Sequence, residues 1–258
     1  MKQLAEHIKP YPLFFKSLSN AREKIYADDD YLKEWYENYS GNHLRRLSFD
    51  LFYLSEEFPN PQGIKVLELG STPPLLTLAI KERGFDITGL DIAPERFSRC
   101  IQENSLTIQK GKIGGGELNF PENTFDAIIM NEVFEHLNGN LIAIMKDLFR
   151  ILKPGGKIFI STPNLKSMVG IRNFLFKGKA YSCCGEIYDE YDKIDKYGHM
   201  GHVREYTPTE LRLFLNKIGF TINKLIYRGK YPAKYRIIEK TFPSLKPFFS
   251  IIAQKPMK

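Results

Sequence analysis

The chain has 258 residues, 43% of them hydrophobic and 26% charged, which is ordinary for a globular protein and enough for one sizeable α/β domain with additions. No apolar run approaches the roughly 18–20 residues that cross a bilayer, and Met1-Lys2-Gln3-Leu4-Ala5-Glu6-His7 carries charge where a secretion signal has its apolar core. Three cysteines, two of them adjacent (Cys183 and Cys184), make neither a disulfide framework nor a Cys-x-x-Cys pair, so a reduced, cytoplasmic protein is expected.

In chain order, residues 1–58 read as an N-terminal helical cap, with Tyr31, Trp35, Tyr36 and Tyr39 at roughly helical spacing. The turn Pro59-Asn60-Pro61-Gln62-Gly63 closes it, and residues 59–258 form the main domain. Strands are expected at 64–69, 86–91, 125–130 and 157–161, and helices at 73–83, 94–104 and across most of 132–152. A helix at 209–218 opens with Thr207 as N-cap and Pro208 in its first position. The β-rich segments 220–227 and 250–254 follow as a final antiparallel pair. Short apolar strands such as Ala127-Ile128-Ile129-Met130 alternating with helices predict a Rossmann-like, doubly wound α/β fold, its sheet mostly parallel and buried on both faces. The polar, tyrosine-rich stretch 164–201 is an insertion, expected to act as a lid.

The net charge of +7 is uneven: residues 224–258 hold nine Lys or Arg against one acid, Glu239, making that segment +8 and the remainder −1. Tyr227, Tyr231, Tyr235, Phe242, Phe248 and Phe249 are interleaved with the cations. Such a segment suits an anionic membrane surface, a lipid- or phosphate-linked acceptor or, less well, nucleic acid; a solvated basic surface with no partner is the plain alternative.

The run Val66-Leu67-Glu68-Leu69-Gly70-Ser71-Thr72-Pro73-Pro74 begins like a nucleotide-binding turn, with an apolar strand entering a glycine. Dinucleotide loops place further glycines next, so that backbone N–H groups reach a pyrophosphate. Pro73 and Pro74 have no N–H to offer, but proline is well placed in a first helical turn, after Thr72 as N-cap. The expected ligand therefore has a ribose, an amino-acid end and no phosphate at this loop. Asp91 ends the next strand 21 residues after Gly70, where an acid accepts hydrogen bonds from ribose hydroxyls or else caps the helix ahead of Pro94.

With these residues in view, the chain resembles the class I S-adenosylmethionine-dependent methyltransferases. Val66–Gly70 is similar to the first motif of that family and Gly89-Leu90-Asp91 to its ribose-binding acid. Phe120–Asp126 with Glu132-Val133-Phe134-Glu135-His136-Leu137 resembles its fourth-strand region, and Leu152–Lys157 with Ser161-Thr162-Pro163-Asn164 its fifth-strand turn. His202-Val203-Arg204-Glu205-Tyr206-Thr207 leading to Gly219-Phe220 is similar to the tail of small-molecule and sugar O-methyltransferases. The resemblance implies S-adenosylmethionine as cofactor, held by Glu68, Gly70, Ser71, Asp91, Ile92, Glu117 and Asn131. Where relatives carry loop glycines, this chain has Thr72 and Pro74, and Glu117 is the sole acid available for the adenine amine.

Methyl transfer to a hydroxyl needs alignment and a route for the proton. The candidates are Glu135, His136, His199 and His202, each with a structural alternative: a dipole-favoured acid, or a histidine with satisfied ring nitrogens. Glu132, Glu135 and His136 would share one face of a helix, and the pattern resembles the Glu-x-x-Glu-His of ubiquinone-pathway and small-RNA 2′-O-methyltransferases. That likeness implies a Mg²⁺ or Mn²⁺ site built from Glu132, Glu135, His136 and His202. The expected reaction is O-methylation of a glycan, quinone-like or other natural-product hydroxyl, by a cytoplasmic protein that can sit at the inner membrane face through 224–258. The alternatives are a degenerate cofactor-binding module, an RNA 2′-O-methyltransferase and, disfavoured by the prolines, a dinucleotide oxidoreductase.

Overall fold

The structure is a computed structural model that describes residues 2–5, 11–28, 30–197, 201–232 and 235–257. The first elements are β1 (Lys2–Ala5), α1 (Pro12–Arg22), α2 (Asp30–Glu57), β2 (Lys65–Leu69), α3 (Leu75–Glu82) and β3 (Asp86–Asp91). They are followed by α4 (Ser98–Glu103), β4 (Thr107–Lys110), β5 (Phe125–Asn131), α5 (Leu141–Ile151) and β6 (Leu152–Pro163). The chain closes with α6 (Met168–Lys177), α7 (Ile187–Tyr197), α8 (Pro208–Ile218), β7 (Thr221–Arg228), α9 (Arg236–Thr241) and β8 (Phe248–Gln254). This is a mixed α/β fold, its sheet mostly parallel with antiparallel final strands.

Two compact units are present, and each is described by itself: His7–Gly115 with Thr124–Ile129, and Met1–Glu6 with Gly116–Asn123 and Met130–Lys258. In the first unit the strand order is β5-β2-β3-β4, with β2 parallel to β3 and β3 parallel to β4. Val66 to Leu69 are all buried, as expected of a parallel strand covered on both faces. Helix α3 buries six consecutive residues, Leu75 to Ile80, and α1 and α2 pack against it. The helical cap read from the sequence is thus a layer of this unit from residue 11 to 57. The expected helix at 94–104 is a 3₁₀ turn, Pro94–Phe97, followed by the short α4. Strand β4 was not expected, because Thr107–Lys110 is a mostly exposed edge strand without an apolar run.

In the second unit the order is β1-β7-β8-β6. Strand β8 runs antiparallel to both β6 and β7, confirming the final antiparallel pair, with Ile160 opposite Ile251 and Leu225 opposite Ile251. Strand β1 corrects the all-helical reading of 1–58, since Lys2–Ala5 pairs in parallel with Lys224–Tyr227. Four residues are too few for their periodicity to outweigh a helical neighbourhood. Helix α8 begins as expected: the Thr207 side chain accepts from the Glu210 N–H, and the Glu210 carboxylate accepts from the Thr207 N–H, a capping box with Pro208 inside it. The insertion is ordered into α6 and α7.

The basic segment is also revised. Residues 224–258 supply β7 and β8 to the core, and several of their cations are spent inside the fold. Buried Arg228 donates to Ser250 Oγ at 3.0 Å, and Lys246 Nζ donates to the Gly229 carbonyl at 2.9 Å. Lys255 Nζ donates to Asn123 Oδ1 at 2.9 Å and to the carbonyls of Phe149 and Leu152 at 2.8 and 2.7 Å. A sum of charges cannot register that these cationic groups point into protein.

Candidate active site

In the first unit β2 carries Glu68 and Gly70 to the sheet edge. Gly70 turns with φ +72°, a left-handed conformation that a side chain would strain, and its N–H donates to the Leu90 carbonyl at 2.9 Å. The carboxylate of Asp91 then ties the loop down. Its Oδ2 accepts the Thr72 N–H and its Oδ1 the Ala93 N–H, both at 2.9 Å. Thr72 therefore does not cap α3, contrary to the sequence reading; Pro74 holds that position without a side-chain bond. The reason is that the Pro73–Pro74 pair sets the helix start two residues later. Ile92, half-buried, follows Asp91.

Ser71 Oγ is buried and makes no hydrogen bond within the protein. A Cβ on Gly89 would come within 2.5 Å of it, so the glycine leaves space at the loop. The buried Ser71 hydroxyl thus lies beside a loop that is pinned by an acid and has two prolines where phosphate donors would stand. Glu68 faces elsewhere: its buried carboxyl accepts from Thr77 Oγ1 at 2.6 Å. Burial, with Asp50 and Asp91 nearby, pushes its pKa up to about 8.

In the second unit the structure corrects the helical reading of Glu132 to His136. Glu132 adopts φ +53°, Phe134–His136 is a single 3₁₀ turn, and α5 starts at Leu141, capped by the Asn140 side chain. Glu132 is held at the end of β5, where its N–H donates to the Ser161 carbonyl at 2.8 Å and its Oε1 accepts from Ser161 Oγ at 2.6 Å. The turn itself rests on Phe134, buried edge-to-face against Tyr206.

That turn places Glu135 and His136 beside His202. The Glu135 carboxylate is buried and accepts from Thr162 Oγ1 at 3.0 Å, while its main-chain carbonyl accepts the Val203 N–H at 2.8 Å. His136 Nδ1 lies 2.9 Å from the Gly201 carbonyl. A carbonyl can only accept, so Nδ1 carries a proton, and in the neutral ring Nε2 keeps its lone pair. The His136 and His202 rings meet edge-on with centroids 4.7 Å apart. Donor atoms of Glu135, His136 and His202 lie within 4.8 Å of one another, and Glu132 does not join this group among the described residues. Asn131, at the end of β5, keeps a buried side-chain N–H without a partner, and Glu117 is exposed on a bend. His199 lies outside the described residues.

Sequence reasoning missed Glu205. Its buried carboxylate accepts the N–H groups of Ser182, Cys183 and Cys184 at 2.6, 3.1 and 3.3 Å, together with Ser182 Oγ, and it faces His202 Nδ1 at 3.5 Å. Burial opposes its ionisation, but the hydrogen bonds from His202, Ser182 and Cys183 outweigh it and hold the pKa at about 2. Glu190, also buried, accepts the His202 N–H at 2.9 Å and Lys193 Nζ at 2.7 Å. The insertion therefore braces His202. Of its aromatic side chains, Phe174, Phe176, Tyr188 and Tyr191 are exposed.

A methyltransferase domain family matches residues 43–225, well over half of the chain. The chain belongs to this methyltransferase family. The methyltransferase domain is 32% identical over 176 residues to a ubiquinone biosynthesis O-methyltransferase of Pseudomonas fluorescens, covering 66% of this chain and 70% of the relative. It is 30% identical over 102 residues to a demethylmenaquinone methyltransferase of Tropheryma whipplei, a match that spans 38% of this chain and about two fifths (41%) of that relative's length. Among solved structures, an S-adenosylmethionine-dependent methyltransferase from Mesorhizobium loti shares the fold, with TM-score 0.56 and 18% identity over 78% of this chain and 95% of that one. Another from Archaeoglobus fulgidus has TM-score 0.56 and 18% identity over 86% and 100%. Among the described residues no helix is long and apolar enough to cross a membrane.

Proposed function

We propose that the protein transfers a methyl group from S-adenosylmethionine to a hydroxyl of a small, quinone-like acceptor. The observation that carries this reading is the Glu135–His136–His202 group, in which a buried carboxylate and two imidazoles converge within 4.8 Å in a chain of methyltransferase family. The named activities of the Pseudomonas and Tropheryma relatives support the acceptor class.

S-adenosylmethionine supplies an electrophilic methyl when bound. The first unit's part is to hold it: Asp91 for the ribose, the Gly70–Ser71 turn for the amino-acid end, and the prolines to exclude phosphate. The second unit's part is the proton. His136 takes the acceptor's hydroxyl proton at Nε2, because the Gly201 carbonyl fixes the other ring nitrogen as the donor. Glu135, buried beside it and anchored by Thr162, offsets the positive charge that the imidazole gains.

A second reading uses the same group. One carboxylate and two imidazoles also suit Mg²⁺ or Mn²⁺, which would lower the hydroxyl's pKa and orient it. A contact with an anionic surface would fall to the exposed Lys230 and Lys240 of the basic segment, since Arg228, Lys246 and Lys255 are engaged internally.

The test is S-adenosylhomocysteine formation with a catechol or hydroquinone acceptor, with and without excess chelator. Glu135→Gln and His136→Ala should each lower turnover about 10²-fold or more, as for loss of acid–base catalysis. Turnover that stops on chelation and returns with Mg²⁺ selects the metal reading, and full turnover in chelator selects the histidine base. Cofactor binding without product from any hydroxyl acceptor would reject both and leave a binding module.

A further inference from the structure

We propose that Cys183, His202 and Glu205 form a second site, sharing His202 with the first, for a thiophilic divalent cation of the zinc class. One donor atom from each of the three lies within 4.8 Å of the others. Glu205 Oε1 is the hub: Cys183 Sγ lies 3.4 Å from it and His202 Nδ1 3.5 Å from it. A tetrahedral zinc centre, with Zn–S of about 2.3 Å and Zn–N or Zn–O of about 2.0–2.2 Å, sets neighbouring donors about 3.4–3.6 Å apart. Around Glu205, then, the protein holds a sulfur, an imidazole nitrogen and a carboxylate oxygen near the spacing that such an ion imposes.

The donors are also fixed. The Glu205 carboxylate is locked by the N–H groups of Ser182, Cys183 and Cys184, and His202 is held through its own N–H by buried Glu190. Cys183 is exposed, so an ion can arrive from solvent. Donor chemistry separates this group from the neighbouring one: Glu135, His136 and His202 offer only nitrogen and oxygen, whereas the thiol gives this set its preference for zinc-like ions over Mg²⁺. Cation entry replaces the thiol proton, which leaves to solvent as the sulfur–metal bond forms, and no oxidation state changes. The fourth position remains for water or for Cys184 Sγ, which is 3.2 Å from Glu205 Oε1.

His202 belongs to both groups, so an ion held here engages a residue that the Glu135–His136 group also uses. On the methyl-transfer reading this makes zinc-class ions inhibitors; the binding itself does not rest on that reading.

Co²⁺ added to the full chain is the probe, with Zn²⁺ displacing it. The wild type should bind one equivalent with a thiolate-to-cobalt charge-transfer band. Cys183→Ser should lose the band and bind Zn²⁺ roughly tenfold more weakly or worse, and His202→Ala should weaken Zn²⁺ similarly. Cys184→Ser should keep both band and stoichiometry, and circular dichroism should show every variant folded. A wild type without the band, a Cys183→Ser protein with unchanged Zn²⁺ affinity, or a band lost only in Cys184→Ser would each overturn the assignment. The assay reads no turnover, so its failure is distinct from failure of the methyl-transfer reading.

Discussion

Two buried glutamates sit in opposite charge states, and the regions around them differ in one respect. Glu68, at the end of β2, has a single hydroxyl donor and two acids, Asp50 and Asp91, nearby, and burial with these charges pushes its pKa up to about 8. Glu205, ahead of α8, is at least as buried but collects backbone and side-chain donors from residues 182–184, and sits at about 2. Burial alone penalises charge in both places; the count of donors aimed at the carboxylate decides which side wins. Asp91 likewise accepts two backbone N–H groups, those of Thr72 and Ala93.

The largest expected effect is at Glu205. Glu205→Ala leaves its donors unpaired and should cost about 3–5 kcal/mol in urea unfolding, the range for breaking a buried charged cluster. Its pH signature is distinct. The folded pKa lies below the ordinary glutamate value, so its stabilisation is present above about 4.3 and is lost as pH falls toward 2. Thermal melts of Glu205→Gln should accordingly lose less stability than wild type between pH 5 and 3. Equal slopes would break the contrast.

Glu68 has the opposite sign. With a raised folded pKa, its stabilisation is present below about 4.3 and lost as pH rises through 8. Glu68→Gln should therefore gain on the order of 2 kcal/mol over wild type at pH 8–9 relative to pH 5. A wild-type pH profile in this variant would mean that the carboxyl is charged in the fold.

Asp91→Ala removes the tie between Thr72 and Ala93 and should weaken S-adenosylmethionine binding by about 1–3 kcal/mol in calorimetry. Unchanged affinity would leave Asp91 a purely structural acid. The smallest effect is at Thr207, two residues from Glu205. Thr207→Ala removes the cap of α8 together with the hydroxyl that donates to Glu210, and should cost about 1 kcal/mol, with a slightly smaller loss on the acid side because that bond helps hold the Glu210 carboxyl below its usual range. A larger loss would show the cap and the carboxylate acting as one unit.

The features legible in the sequence were those built from neighbours along the chain. Gly70 before two prolines, Asp91 at a strand tip, and the Thr207 cap with Pro208 after it each involve backbone within a few residues or one βαβ step, so spacing alone carried them. Glu132 to His136 was misread for the same reason: i, i+3, i+4 spacing means a shared face only if the backbone is helical, and the φ of +53° at Glu132 ends that. No local rule forbids a helix there; Ser161, 29 residues later, holds the bend in place.

From residue order alone followed the alternation of strands and helices, the two-proline loop after Gly70, the antiparallel ending and the family resemblance, because each is a periodicity or a contiguous motif. The tertiary structure alone decided that Glu135 and His136 meet His202, that Glu205 is fed by residues 182–184, and that Arg228, Lys246 and Lys255 of the last segment turn inward. Those outcomes depend on groups from 20 to more than 100 residues apart competing for the same donors and the same buried space, and spacing along the chain does not encode who wins.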